Sequence, residues 1–388
     1  MAAQHSTPHL TRRSVMRAAA AASLGLPQLS RAQASPGVTA TEIRLGQTAA
    51  LTGPLSFANL QANTAANGYF AQVNQKGGIA GRKITLTSLD DGYDAAKAVA
   101  NFKQLQNDNG GIISLFGVGG TPSNMALQPM VEAAKMVNFA PYSGFDGLRN
   151  PDFKHIFHTR ASYNEEFAKI AAYCATSGLK DVTMLYSDNA FGKGSLAVFE
   201  ALAAKSGLRL KGKVAMADKV DDLGSVTKAI AAIGSQAVVG AITSTSSLAW
   251  AKSELPKLGV PYMTISLLGN ELSIKFIGPA AAGIVVAQTV PYPRSKKYPV
   301  AYDLSTLAPT IGIPEPGFTA MEGYIAARVM VEALTRAGKN LTPQSLIASL
   351  TSAKFDLKGY VVDFTGGRRS GSSFVELSQV SREGRFIQ

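Results

Sequence analysis

The sequence predicts an α/β protein built as two doubly wound parallel-sheet lobes. Three observations predict it. The length, 388 residues, exceeds one ordinary core. Short apolar runs alternate with one-faced helical stripes, the pattern of βα units. That alternation restarts near residue 182 after five strand signals.

The first set opens with a strand at Ile43–Thr48, followed by Ile84–Leu89, Ile112–Phe116, Val137–Ala140 and a weaker one at His155–His158. The helices between them carry stripes of helical period: Ala62, Ala66, Tyr69, Val73; then Ala95, Val99, Phe102, Leu105; then Leu127, Met130, Ala134. The second set has strands starting at Val182, Leu210, Ala237, Tyr262 and Gly283. Its helices carry Leu196, Phe199 and Leu202, then Leu223, Val226 and Ile230, then Leu248, Leu255 and Leu258. The remainder, Pro291–Gln388, predicts a long helix at Phe318–Arg336 and another opened by Thr342-Pro343, a good N-cap and first-turn pair. Strand-like Tyr360–Phe364 and Phe374–Val380 close the chain. This tail is too short for a third lobe and must be shared between the two.

Residues 1–34 read as a signal peptide. Arg12-Arg13 precede an Ala/Leu run at Ala18–Leu26, and Ala32-Gln33-Ala34 supplies a small-x-small cleavage site. The apolar run is far below the roughly 20 residues that span a bilayer. The adjacent arginines favour twin-arginine export, with a general secretory signal as the alternative. Cleavage near Ala34 leaves 354 residues and lowers the formal charge from +12 to +8, because Arg12, Arg13, Arg17 and Arg31 go with the leader. The expected location is the periplasm. No basic stripe interleaved with aromatics remains, so nucleic acid is not an expected partner. Arg294-Ser295-Lys296-Lys297 reads as an exposed loop.

In open α/β sheets ligands sit beyond the carboxyl ends of the strands. In the first set those exits are Ala50–Ala58, Gly117–Asn124 and Pro141–Phe145; in the second, Tyr186–Gly192, Ile242–Ser246 and Ile265–Gly269. They are rich in glycine, hydroxyl and aromatic residues. Thr121–Asn124 opens a helix, whose positive end suits a carboxylate or phosphate. Neither G-x-G-x-x-G after the first strand nor G-x-x-x-x-G-K-[ST] occurs, which argues against a nucleotide, and no cofactor is expected. Each loop alone could be a plain tight turn; three on one sheet edge point to a small-anion site.

Catalytic constellations are poor. His155 and His158 are i, i+3 on a strand-like stretch, so their rings point to opposite faces, and no third metal ligand lies nearby. No G-x-S-x-G elbow exists. Asp90-Asp91 reads as capping or salt-bridging. Cys174, the only cysteine, falls on the stripe Phe167, Ile170, Ala171, Cys174 and reads as a core filler; Trp250 reads as packing.

Leu51-Thr52-Gly53-Pro54, the stretch Val73–Ile84 with its Gly-Gly-Ile-Ala-Gly-Arg-Lys-Ile core, and Asp90-Asp91 with Asp94 occur in this order. Gly117–Ser123, Pro141–Gly144 and Asp188–Gly192 continue the series. The chain resembles the leucine/isoleucine/valine-binding protein family of bacterial ABC importers, the type I periplasmic binding proteins. The resemblance implies two lobes joined by a three-segment hinge, divided as 41–160 with 289–358 and 161–288 with 359–388. It implies a non-enzymatic, monomeric receptor that delivers a small molecule to an inner-membrane permease. By position, Gly120/Thr121 and Ser143/Gly144 would hold the ligand's carboxylate, with Tyr142 a further ligand-binding residue. Phe57 and Ala58 would sit near the cleft mouth, and Tyr163, Phe191, Thr243 and Ser266 would face the ligand from the hinge and second lobe. Family members that bind amino acids commonly present a second-lobe carboxylate to the ammonium. Here the exit Thr264–Leu268 has no acid before Glu271. That predicts a preference for an aromatic or aliphatic carboxylate lacking the ammonium. A periplasmic hydrolase and a sensor for a signalling partner remain the alternatives.

Overall fold

β1 (Glu42–Ala49) and β2 (Lys83–Asp90) form where β-branched and apolar residues run together, and they pair in parallel from Glu42–Lys83 to Ala49–Asp90. Between them, α1 (Leu60–Gln75) turns Ala62, Ala66 and Phe70 inward. α2 (Ala95–Asn107) is capped by Asp94, whose carboxylate accepts the Ala96 and Lys97 N–H groups. β3 (Ser114–Phe116), α3 (Thr121–Ala134), β4 (Val137–Phe139) and β5 (Ile156–Phe157) complete the first sheet, in the order β2-β1-β3-β4-β5, all parallel. The weak fifth strand is two residues long.

α4 (Tyr163–Thr176) starts the second set with a capping box between Ser162 and Glu165. β6 (Asp181–Ser187), α5 (Ala190–Lys205), β7 (Arg209–Met216), α6 (Leu223–Ile233), β8 (Ala237–Ala241), α7 (Ser247–Ser253), β9 (Tyr262–Ile265), α8 (Glu271–Ile277) and β10 (Val285–Gln288) follow. Their parallel order β7-β6-β8-β9-β10 repeats that of the first sheet. The type I periplasmic binding architecture is therefore present in both halves.

The tail adds α9 (Pro299–Leu307), α10 (Phe318–Ala337) and α11 (Pro343–Ser352), the last boxed by Thr342 and Ser345. β11 (Phe355–Asp356) and β12 (Val361–Val362) form a small hairpin. β13 (Glu376–Val380) and β14 (Phe386–Ile387) extend the second sheet antiparallel to β10. α8, α9, β11 and β14 are additions to the elements that the sequence suggests. α10 packs along α1 of the first sheet. Gly323 permits this, since a Cβ there would lie 2.2 Å from the Ala62 carbonyl oxygen.

The computed structural model describes residues 2, 3 and 35–388, apart from 54, 55, 57, 58, 245 and 268. The signal peptide and its cleavage site, with Phe57 and Ala58, lie outside the described residues.

The first core is aromatic: Phe70, Phe116 and Phe139 contact in series, and Phe364 from the tail sets its edge on Phe139 and Phe157. Cys174 is fully buried with Phe167 and Phe199 in the second core. Trp250 is buried against Tyr262 and donates its indole N–H to Thr227. Both are packing residues.

Candidate interlobe binding site

A sheet ordered β2-β1-β3 reverses direction between β1 and β3, which opens a crevice at their carboxyl ends. Gln47 and Thr48 lie just before β1 ends at Ala49, both buried. Gln47 Nε2 donates to Asn63 Oδ1 and the Gly117 carbonyl, each at 2.9 Å. Thr48 donates to Asp91 at 2.9 Å, and Ser123 donates to the same carboxylate. Asp91 also accepts the Tyr93 N–H, while Asp90 accepts the Leu51 and Gly92 N–H groups. The acid pair is thus a turn scaffold. The Thr52 hydroxyl, with the backbone donors, pulls the Asp90 carboxyl down to about 2; burial pushes Asp91 up.

The scaffold aims Tyr93 at the start of α3. Gly120 has φ +80°, and a Cβ there would lie 2.5 Å from the Tyr93 ring, so glycine is required twice over. Gly120 N–H donates to the Tyr142 carbonyl, and Tyr142 N–H donates to Val118. These bonds join the β3 and β4 exits. Consequently the Thr121 and Ser143 hydroxyls meet at 2.8 Å, both buried. Gly144 accepts the Tyr163 N–H at 2.7 Å, which brings α4 to the same place. The Tyr163 ring meets Phe191 of α5 edge-on, with centroids 5.4 Å apart.

The second sheet repeats the crevice. Ser187, ending β6, accepts the Thr243 N–H after β8 at 2.6 Å. The Thr243 hydroxyl lies beside that of Tyr93, so the two halves approach each other there. Ser266 is placed differently. Its N–H donates to Glu166 Oε2 at 2.7 Å, and its hydroxyl accepts from Arg160 Nη2. Arg160 also donates to Glu166 Oε1 at 2.9 Å and to Glu322 of α10 at 3.1 Å. Arg160, Ser266, Glu322 and Tyr142 line one small cavity of about 20 Å³, near the size of a single water. Burial opposes the Arg160 charge, but Glu322 and Glu166 beside it hold it above its ordinary value. Burial outweighs Arg160 at Glu166 and raises that carboxyl to about 7.

The sequence-derived residues Gly120, Thr121, Tyr142, Ser143, Gly144, Tyr163, Phe191 and Thr243 therefore converge, and Ser266 belongs to the adjoining ion cluster. Tyr93, Arg160, Glu166 and Glu322 escaped the sequence reading. Glu166 had a signal: it is an acid one turn ahead of the apolar Ile170 and Cys174 stripe. The hydroxyl oxygens of Tyr93, Tyr142, Tyr163 and Thr243 are buried; Tyr93 and Thr243 face only each other, Tyr163 faces Thr121, and Tyr142 has no hydrogen-bond partner among the described residues. Buried polar atoms are paired as a rule, at a cost of about 1–3 kcal/mol where they are not. His155 and His158 serve separate partners, Glu132 and the Leu148 carbonyl.

A family model described as periplasmic binding protein matches residues 42–384, so the chain belongs to that family, a class of solute-binding proteins. The Leu/Ile/Val-binding protein homolog 3 of Brucella melitensis is 24% identical over 319 residues, 81% of this chain and 84% of the relative. A branched-chain amino acid ABC transporter structure from Thermus thermophilus with bound valine has a TM-score of 0.80 at 21% identity, covering 90% of this chain and 96% of its own. An R. palustris ABC transporter solute binding protein in complex with benzoate gives 0.78 at 16%, covering 89% and 95%. At those identities the two structures speak to the fold. Among the described residues no helix is long and apolar enough to cross a membrane.

Proposed function

We propose that this periplasmic binding protein is the solute receptor of an ABC importer, and that it closes two lobes around an amino acid or a related hydrophobic or aromatic carboxylate. The observation that carries the reading is the set of four buried hydroxyls on Tyr93, Tyr142, Tyr163 and Thr243, none of which has a well-formed hydrogen bond even where Thr243 faces Tyr93 and Thr121 faces Tyr163. Their desolvation is offset only if something else hydrogen-bonds to them, and a solute between the lobes would do so. The solute's carboxylate lies at Gly120/Thr121 and Ser143/Gly144, on the N-terminal end of α3. Phe191 and Tyr163 flank its apolar part.

The ammonium-free preference is supported by the state of the nearby acids. Glu166 and Glu322 share the single Arg160, and burial raises both carboxyls, which disfavours two ionised acids there and leaves neither as a free carboxylate for an ammonium. Valine and benzoate in the two related structures span the two chemistries. The chain performs no reaction, is exported behind its signal peptide and works in the periplasm as a monomer with an inner-membrane permease.

The lobes divide close to 41–160 with 289–358 and 161–288 with 359–388, except that Val362 pairs with Phe355, Phe364 packs on Phe139 and Phe157, and Ser370 bridges to His158, so the residues just past 358 stay with the first lobe. One phenol supports that division: Tyr360 reaches the carbonyls of Thr159 and Thr289 at 2.9 and 3.2 Å, which ties the three crossing segments together.

Mass spectrometry of small molecules released on denaturing the purified protein tests the assignment. The expected result is a stoichiometric organic acid. If none is released, and a panel of amino acids and carboxylates leaves Tm unchanged, the assignment fails.

A further inference from the structure

α10 starts without a side-chain cap of its own, because its N-cap is Gly317. The Phe318 N–H is instead taken by Glu271 Oε1 at 2.8 Å. Glu271 opens α8, which connects β9 to β10 of the second sheet, whereas α10 packs along α1 of the first. The cap is therefore borrowed from the opposite half of the molecule. Gly317 makes room for it, since a Cβ there would lie 2.0 Å from Glu271 Oε2. About one turn further, Glu322 receives Arg160, whose other nitrogen is bound to Glu166 and Ser266. The first turns of α10 are thus held to the second half directly by Glu271 and, through Arg160 at the crossing, indirectly by Glu166 and Ser266. The free Glu271 oxygen, Oε2, is buried without a hydrogen-bond partner beside a groove of about 650 Å³.

We infer that Glu271 is a positioning residue for solute capture: it clasps the second lobe to the N-terminus of α10, and the clasp takes up a proton as the lobes close. The inference rests on the capture reading above.

Burial holds the Glu271 carboxyl up at about 7, against the Phe318 and Glu271 N–H groups and the more distant Arg294, which favour its ionised form. Lys275 on its own helix, and Glu315, Arg382, Glu383 and Arg385 across the groove, are the other charges that face this region. In an opened cleft the carboxyl meets water and returns toward its ordinary 4.5. The closed form then binds more protons between those two values. Closure is strongest at low pH, weakens as pH rises toward 7, and is level above it. Glu166 is raised for the same reason and adds in the same direction.

The test uses spin labels at Lys97→Cys and Lys219→Cys, both exposed, in the full chain; the native Cys174 is buried. Distance distributions are recorded without added solute at about pH 5.5 and 8.5. Wild type is expected to favour the short distance by about tenfold or more at the lower pH. Glu271→Gln, which keeps an acceptor for Phe318 but cannot ionise, should hold its acid-like population at both pH values, apart from the share due to Glu166. Gly317→Ala, with unchanged circular dichroism, should lose the short distance at both. The inference is overturned if Glu271→Gln follows the wild-type profile or Gly317→Ala closes normally while the lobes still move. A single distance under every condition, including saturation with the released acid, would overturn the capture reading and the clasp with it.

Discussion

Tyr142 carries a buried hydroxyl with no partner among the described residues and Tyr163 one that faces only Thr121 without a well-formed bond, and this sets apart their value to the fold from their value to binding. Replacing either by Phe removes an unsatisfied polar atom and keeps the ring. Stability should be unchanged or higher by up to about 1 kcal/mol, whereas solute affinity should fall about tenfold. Thermal unfolding and calorimetric titration of Tyr142→Phe and Tyr163→Phe check both halves; a Tm drop with full affinity would remove these hydroxyls from the site. The hydroxyl and glycine residues of this region were legible in the sequence because strand exits are where open α/β sheets bind. Tyr93 was not, since only the Asp91 turn aims it at Gly120. Nor were Arg160 and Glu322. Their partners lie 162 residues apart in the chain, and no local pattern announces such a pair. Glu166 alone left a trace, as an acid on a stripe that is otherwise apolar.

At the scale of elements, strand and helix positions followed from periodicity and caps. β1, β2 and β6–β10 appear where apolar runs predict them, and Thr342 caps α11 as its sequence suggests. Thr342→Ala should lower stability by about 1 kcal/mol, seen as a reduced denaturation midpoint. The short pieces were illegible for a physical reason. β14 is two residues held by antiparallel pairing to β13 and by the distant Phe386–Phe318 contact, and α9 starts at Pro299 inside a proline-rich stretch that reads as loop. The α10–α1 contact depends on Gly323. Gly323→Ala forces a methyl against backbone that cannot rotate away, so a loss of about 1–3 kcal/mol is expected by chemical denaturation, despite alanine's better helix propensity. A neutral or stabilised variant would mean that the two helices are not so closely packed.

For the whole molecule, the repeated 2-1-3-4-5 strand order sets two crevices beyond facing sheet ends, and three chain crossings between the halves converge on Tyr360. The repeat was visible as a restart of alternation, and the three crossings came with the family resemblance; the bonds that fasten them were not visible, because Tyr360 reaches backbone carbonyls 201 and 71 positions away. Calorimetric titration with leucine, its deaminated 2-keto acid, and benzoate tests the central claim most directly, run on wild type and on Ser143→Ala. The account predicts that at least one organic acid binds, that the ammonium-free acids bind more tightly than leucine, and that Ser143→Ala weakens binding about tenfold. Heat-silent titrations for every acid, or binding indifferent to Ser143→Ala, would contradict it.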